Sequence, residues 1–395
     1  MKWEQAKVVE GGVKIPYSWV FLTHYEAFNM LFRIENALRV FVYIILKNEF
    51  REKWVEAQIQ GDDEQGTISA LSKKRISQAQ SFGYLGHSIS CPMMHLNSGE
   101  LIRLIVSDTY WKLFKPYFFG SKEIIRNKLE EIGAIRNSLA HFRPIKADDI
   151  DVIKQNSKQV LMGVEKLLSE ALIQTDVVPT NTTDDWYRSL KPIGTDMCTF
   201  SYLQSGDGEW ICIRMNFTSR SIKRIPYANP PSRVDYTALC LRSSAILIEC
   251  PEIAKAICYL SEIDPSAKFD GSDAVFSKWI ELILSRRMLS NDHETIKQVL
   301  EDLIINIAEE VDQITNDSLA RGKYIHAVPV SARQKEYSGK NYWSWDTERL
   351  STAVSETDPP EYWGNLHYAS YDDIIACKER YPWMPEAVSE NEFPF

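Results

Sequence analysis

KEIIRNKLEEIGAIRNSLAH, residues 122–141, decides how this chain is read. Advancing about 100° per residue from Ile125 brings Ile125, Leu129, Ile132 and Leu139 within about 40° of one direction, which predicts an amphipathic helix over residues 122–140. Pro144 stops it, because the residue before a proline is pushed out of the helical region. Arg136 lands inside the apolar stripe, at about 20°. A guanidinium keeps its proton in a protein, so burying one without a partner is costly. Glu35 is the matching anomaly. It interrupts an apolar stripe between Leu31 and Leu38, in a segment (residues 17–54) free of Gly and Pro after Tyr17, where Phe28, Leu31, Leu38, Val42 and Ile45 recur at helical spacing. Phe21 and Tyr25 extend that stripe, and the spacing predicts one long helix or two broken near Asn29. Two opposite charges on two apolar faces suggest an ion pair or a cleft where the helices meet. Plainer placements stay open: Arg136 snorkelling past the stripe, His141 capping its helix, and Glu35 pairing with Arg39 one turn on.

Arg-x4-6-His by itself carries little, since Arg321 with His326, and Arg286 or Arg287 with His293, fit it too. The segment Ile135-Arg136-Asn137-Ser138-Leu139-Ala140-His141 has the richer form RNxxAH and closes a long helix. Together with Ile34-Glu35-Asn36-Ala37-Leu38-Arg39 about a hundred residues upstream, it resembles the HEPN superfamily of helical ribonucleases, as found in prokaryotic toxins and abortive-infection proteins. The resemblance covers about residues 17–172. It implies an all-α, HEPN-like bundle whose Arg136, Asn137 and His141 are catalytic, with Glu35 and Arg39 in support. It also implies metal-independent RNA cleavage, no cofactor, a homodimer that brings two Arg/His pairs into one cleft, and a role as a toxin or antiviral effector. Partners would be RNA (tRNA or mRNA) and a protein trigger or antitoxin.

The residue types suit that chemistry. An imidazole at a helix carboxyl end sits where unpaired carbonyls favour its protonated form. It can take the proton of a ribose 2′-hydroxyl or return one to the leaving 5′-oxygen, while a guanidinium steadies the charge on the scissile phosphate. Asn137, four residues before His141, lies on its face and can orient the imidazole or a phosphate oxygen. The competing reading is a non-catalytic module that binds RNA or dimerises, with the C-terminal half recognising a partner.

Working outward, 395 residues with 44% hydrophobic and 25% charged side chains predict two globular domains, bounded by the polar stretch Val178-Pro179-Thr180-Asn181-Thr182-Thr183 into residues 1–178 and 179–395. No apolar run approaches the roughly 18 residues of a membrane span, and the N-terminus lacks a secretory pattern, which predicts a cytoplasmic protein. Seven scattered cysteines form no CxxC and read as reduced thiols. The net charge of −9 is uneven: residues 1–170 hold 23 Lys and Arg against 20 Asp and Glu, residues 171–395 hold 22 against 34. The balances, +3 and −12, place a polyanion site in the first half on charge grounds.

Further helices are expected over residues 69–81, 101–114 and 148–173. The second domain is expected to be α+β, with a small antiparallel sheet and long helices. Its hairpin pairs residues 197–203 with 210–217 through Asp207-Gly208, a third strand covers 237–249, and helices cover 251–263, 273–290 and 292–314. An aromatic-rich tail, residues 341–395, either wraps another domain, forms a recognition surface or packs on the chain's own body, and the acidic half suits a sensor or a cap on the nuclease. Gly83-Tyr84-Leu85-Gly86-His87 reads as a turn rather than a phosphate loop. His87, Cys91 and His95 have a loose metal-like spacing without a fourth ligand. Lys73-Lys74-Arg75 and the group Arg214, Arg220, Lys223, Arg224 and Arg233 read as solvated basic faces able to meet phosphates.

Overall fold

From Val40 to Leu46 every side chain is apolar and buried, so this stretch of helix is enclosed on all sides rather than along one stripe. It belongs to a single 29-residue helix, and the fold is arranged around it. The computed structural model describes residues 7–9, 12–14, 22–60, 66–82, 91–141, 143–226, 233–269, 273–316, 319, 321–345, 350, 354–365, 374–375 and 382–383. The Gly83–His87 turn and Phe21 lie outside the described residues.

The helix-rich first half runs through a ribbon of β1 (Lys7–Val9) and β2 (Gly12–Lys14), the central helix α1 (Leu22–Phe50), a second ribbon of β3 (Gln58–Ile59) and β4 (Gly66–Thr67), and then α2 (Ile68–Ser81), α3 (Ser98–Ile105), α4 (Trp111–Phe114), α5 (Lys122–Ala140), α6 (Ala147–Val160) and α7 (Met162–Leu172). The two ribbons qualify the all-α expectation. The second half is α+β: β5 (Asp176–Val177), α8 (Asp185–Leu190), β6 (Cys198–Gln204), β7 (Trp210–Arg220), β8 (Lys223–Pro226), β9 (Arg233–Leu241), α9 (Ser243–Glu249), α10 (Pro251–Ala256), β10 (Tyr259–Phe269), β11 (Ala274–Ser285), α11 (Arg286–Thr315), β12 (Ile325–Tyr337), β13 (Lys340–Trp345) and β14 (Tyr362–Asn365).

The main sheet has six strands in the order β14-β10-β11-β7-β6-β5, antiparallel except where β14 meets β10. One face, with Trp210, Cys212, Tyr259 and Ile283, joins the core of the helical half. The other, with Ile211, Ile213, Ile280 and Leu282, is covered by α8 to α11. A second sheet, β13-β12-β9-β8, packs Val234, Tyr236 and Val330 against Ala274 and Phe276 of β11. The two halves are tied directly. Tyr43 donates its hydroxyl to Cys258 O at 2.7 Å, Tyr259 to Ala171 O at 2.9 Å, and Lys47 Nζ to Glu361 Oε1 at 2.6 Å and Ala254 O at 2.8 Å.

Several expected elements change. Of the helix expected over 273–290 only residues 286–290 are helical, as the start of α11: Ala274, Phe276, Lys278, Ile280 and Leu282 are buried in alternation along β11, and the alternation is hidden in sequence because a buried lysine occupies one of its inner positions. The strand expected over 237–249 ends at Leu241 and gives way to α9, and the helix expected over 251–263 ends at Ala256 and gives way to β10. The 148–173 helix divides at Leu161. On α1 the expected stripe rotates near its start: Ala27, Met30, Leu31 and Ile34 turn inward, while Tyr25 and Phe28 are 56% and 58% exposed. The described aromatics of the tail divide between the two halves: Trp343 and Trp345 pack against Phe269 of β10, while Trp363 and Trp383 join the core of the helical half. Trp363 stacks on Tyr259 at 3.8 Å, and both Trp363 and Trp383 pack against Tyr43 of α1.

Candidate active site

α5 begins where Ser121 accepts the Ile124 N–H on its hydroxyl, and it ends at Ala140, with His141 as the C-cap residue donating its N–H back to Asn137 O at 3.1 Å. Its buried face is Ile125, Leu129, Ile132 and Leu139, the expected stripe. That face meets α1 and α3 along a small cleft with walls from Leu38, Ile102 and Leu129 and a polar end made of Glu35, Ser98 and Arg136.

Glu35 organises the polar end. Its Oε2 accepts from Arg136 Nε at 3.1 Å and from the Ser98 hydroxyl, and its Oε1 accepts from Arg39 Nη2. The pair across two helices and the pair one turn along α1 therefore both form on the same carboxylate. Arg39 is fixed further by Leu96 O at 2.9 Å and by Asn36 Oδ1 at 2.9 Å. Burial lowers the Arg39 pKa, with Glu35 opposing that shift and Arg136 adding to it. Exposure separates the two arginines: the Arg39 side chain keeps 11% of its surface, the Arg136 side chain 35%. Arg136 is thus anchored through Nε while its terminal nitrogens face outward, one of them 3.4 Å from Asn137 Oδ1.

Asn137 and His141 are exposed. Along an ideal helix His141 stands about 7.5 Å from Arg136 on the axis and about 140° round it, with Asn137 about 40° from His141. The five expected residues therefore form two groups, a buried anchor of Glu35, Arg39 and Arg136 and an exposed end of Asn137 and His141. The structure adds two more. Ser98 holds the second lone pair of Glu35 Oε2, and His24 Nε2 of α1 accepts the Ile145 N–H just beyond the motif, at 3.2 Å. Ser98 was legible in one respect. Asn97 and Glu100 form a capping box that starts α3 three residues before the helix expected from Leu101.

The other Arg/His matches are built differently. His326 lies in β12, where burial and the neighbouring Arg321, Arg242 and Lys278 lower its pKa to about 4. Arg286 pairs with Asp184, Arg287 with Glu49, and His293 with Glu294. Of the basic clusters, Arg75 is bound by Glu100 and Arg214 by Glu281. Among the described residues no three His, Cys, Asp or Glu gather as metal ligands would, and His87 lies outside them. No described helix is long and apolar enough to cross a membrane. No family model, curated protein or solved structure matches the chain.

Proposed function

We propose that this chain is a HEPN-type endoribonuclease that cuts RNA by attack of the ribose 2′-hydroxyl, without a metal. The observation that carries the reading is the Glu35–Arg136 ion pair between α1 and α5, which anchors the arginine of RNxxAH and leaves its terminal nitrogens outward beside Asn137. In this reading Arg136 binds the scissile phosphate, His141 moves the proton and Asn137 orients one of them. The separation of Arg136 from His141 around one helix favours a site completed by a second copy. The exposed Tyr25, Phe28 and Phe32 on α1 supply apolar surface for such a homodimer. A toxin or antiviral abortive-infection role, with tRNA or mRNA as substrate and a protein trigger or antitoxin, follows from the resemblance and is part of the proposal, and a place in the cytoplasm is proposed with it.

A second reading has its own support. Glu35 accepts from three donors on two neighbouring helices and its own, so the cluster also serves as a structural tie, as in a module that only binds RNA or dimerises and recognises a partner through its other half. Incubating the protein with total RNA and tRNA in EDTA, beside Arg136→Ala and His141→Ala, separates the two. Cleavage by the parent alone is expected; equal behaviour of all three contradicts the enzyme.

A further inference from the structure

The second half has a charge balance of −12, yet one face of its smaller sheet is basic. Residues directly opposite in antiparallel strands share a face. The register sets Arg233 opposite Arg333, Arg333 opposite Ser344, Lys335 opposite Tyr342 and Tyr337 opposite Lys340. The opposite face is fixed inward by packing: Trp343 and Trp345 lie against Phe269, with ring centroids 5.5 and 6.2 Å apart. Arg333, Lys335, Tyr337, Lys340 and Tyr342 therefore point out together, with Tyr337 76% and Tyr342 46% exposed.

Asp235 is the single acid on the described part of that outer face, and it is engaged by Arg233 at 3.5 Å and by the Ser331 hydroxyl at 2.6 Å. Among the described residues none forms an ion pair with Arg333, Lys335 or Lys340. Glu336 belongs to the other face, opposite Asn341. Beyond Arg333 the β12–β13 pair continues past the described end of β9, and among the described residues no third strand pairs with it there.

The arrangement costs stability in isolation. Like charges directly across a ladder repel, and exposed rings leave apolar surface in water. A ligand with spaced negative charges and flat apolar rings removes both costs. Side chains on one face recur about every 6.6 Å along a strand, and two successive rows of the hairpin each set a cation beside a ring, Lys335 with Tyr342 and Lys340 with Tyr337, as each nucleotide of an unpaired strand sets a phosphate beside a base. An acidic peptide answers the charges but not the tyrosines, a bilayer answers both but without the fixed pairing of one cation to one ring that the rows repeat, and a duplex keeps its bases turned inward.

We propose that the outer face of this hairpin docks single-stranded RNA, with Arg333, Lys335 and Lys340 on phosphates and Tyr337 and Tyr342 stacked on bases. The proposal concerns a surface in the other half from Arg136 and stands whether or not the chain is a nuclease. It is tested on the full chain by fluorescence anisotropy with a labelled 2′-O-methyl RNA oligonucleotide, which cannot be cut by 2′-hydroxyl attack, so that binding is read apart from cleavage. Replacing both tyrosines by alanine is expected to weaken binding roughly tenfold or more. The triple variant Arg333→Gln, Lys335→Gln, Lys340→Gln should also bind more weakly, with its log K against log salt slope shallower by about 2. Glu336→Gln, on the opposite face, should change affinity by less than about twofold, because it leaves every phosphate contact in place. Coincident thermal melts show that these exposed substitutions leave the fold intact. Parental affinity in the tyrosine pair or in the charge triple overturns the proposal. So does equal competition by poly-glutamate, anionic vesicles or the duplex form of the same oligonucleotide.

Discussion

Lys47 is a charged group with no exposed surface, held by Glu361 and a carbonyl from the other half. Removing one member of such a pair leaves the other charge buried, so Lys47→Met is expected to cost about 3–5 kcal/mol, and adding Glu361→Gln should recover most of it. Urea melts of the two variants check this, and equal loss in both contradicts it. Glu35 is a different case, because in the proposed function it positions Arg136 for substrate. Glu35→Gln should lower RNA cleavage roughly tenfold to a hundredfold through displacement of Arg136, while His141→Ala abolishes it. Cleavage kinetics with melts as a control decide it, and unchanged cleavage by Glu35→Gln would remove the positioning role.

At the scale of elements, α5 was legible to the residue because its stripe is one-sided and Pro144 follows closely. The Arg136–Glu35 contact was legible for the same reason, as two charges out of place on apolar faces. The strand β11 was not, since Lys278 sits at an inner position where its charge is met by Glu262 at 2.9 Å, a pairing that only the neighbouring strand β10 supplies. Asn137 and His141 were readable as residues, and the angle between His141 and Arg136 follows from the helical repeat, but the approach of the Arg136 guanidinium to Asn137 Oδ1 at 3.4 Å depends on a side-chain path that the sequence does not state. β12 carries a pH dependence of its own. The His326 pKa is lowered by burial and nearby cations to about 4 against a usual 6.5, so between those values the unfolded chain binds more protons than the folded one. Its contribution is full above about pH 6.5 and declines as the pH falls toward 4. The melting temperature should fall more from pH 7 to pH 4.5 in the parent than in His326→Gln. Equal falls would contradict a neutral, resisting histidine.

For the whole molecule, the core of the helical half continues across Val178 and takes in Trp210, Cys212, Tyr259, Ile283 and Trp363, while a second core lies wholly in residues from Val178 on. α1 packs against the helices of its own half and shares a core with the main sheet, and the hydrogen bonds of Tyr43 and Lys47 run to groups beyond residue 250. A chain ending at Val178 is expected to lose cooperative unfolding and to expose the apolar surface of α1, rather than to become a more active nuclease. Far- and near-ultraviolet circular dichroism during a melt checks this, and a sharp transition in the shortened chain would contradict it. The continuity of the core means that whatever docks on the second half acts on a body that already contains Arg136. The most direct measurement of the central claim is the end chemistry of RNA incubated in EDTA with the full protein and with its His141→Ala variant. Cleavage by 2′-hydroxyl attack predicts 2′,3′-cyclic phosphate ends from the parent and uncut RNA from the variant. Intact RNA with the parent, or the same fragments with both proteins, would contradict it.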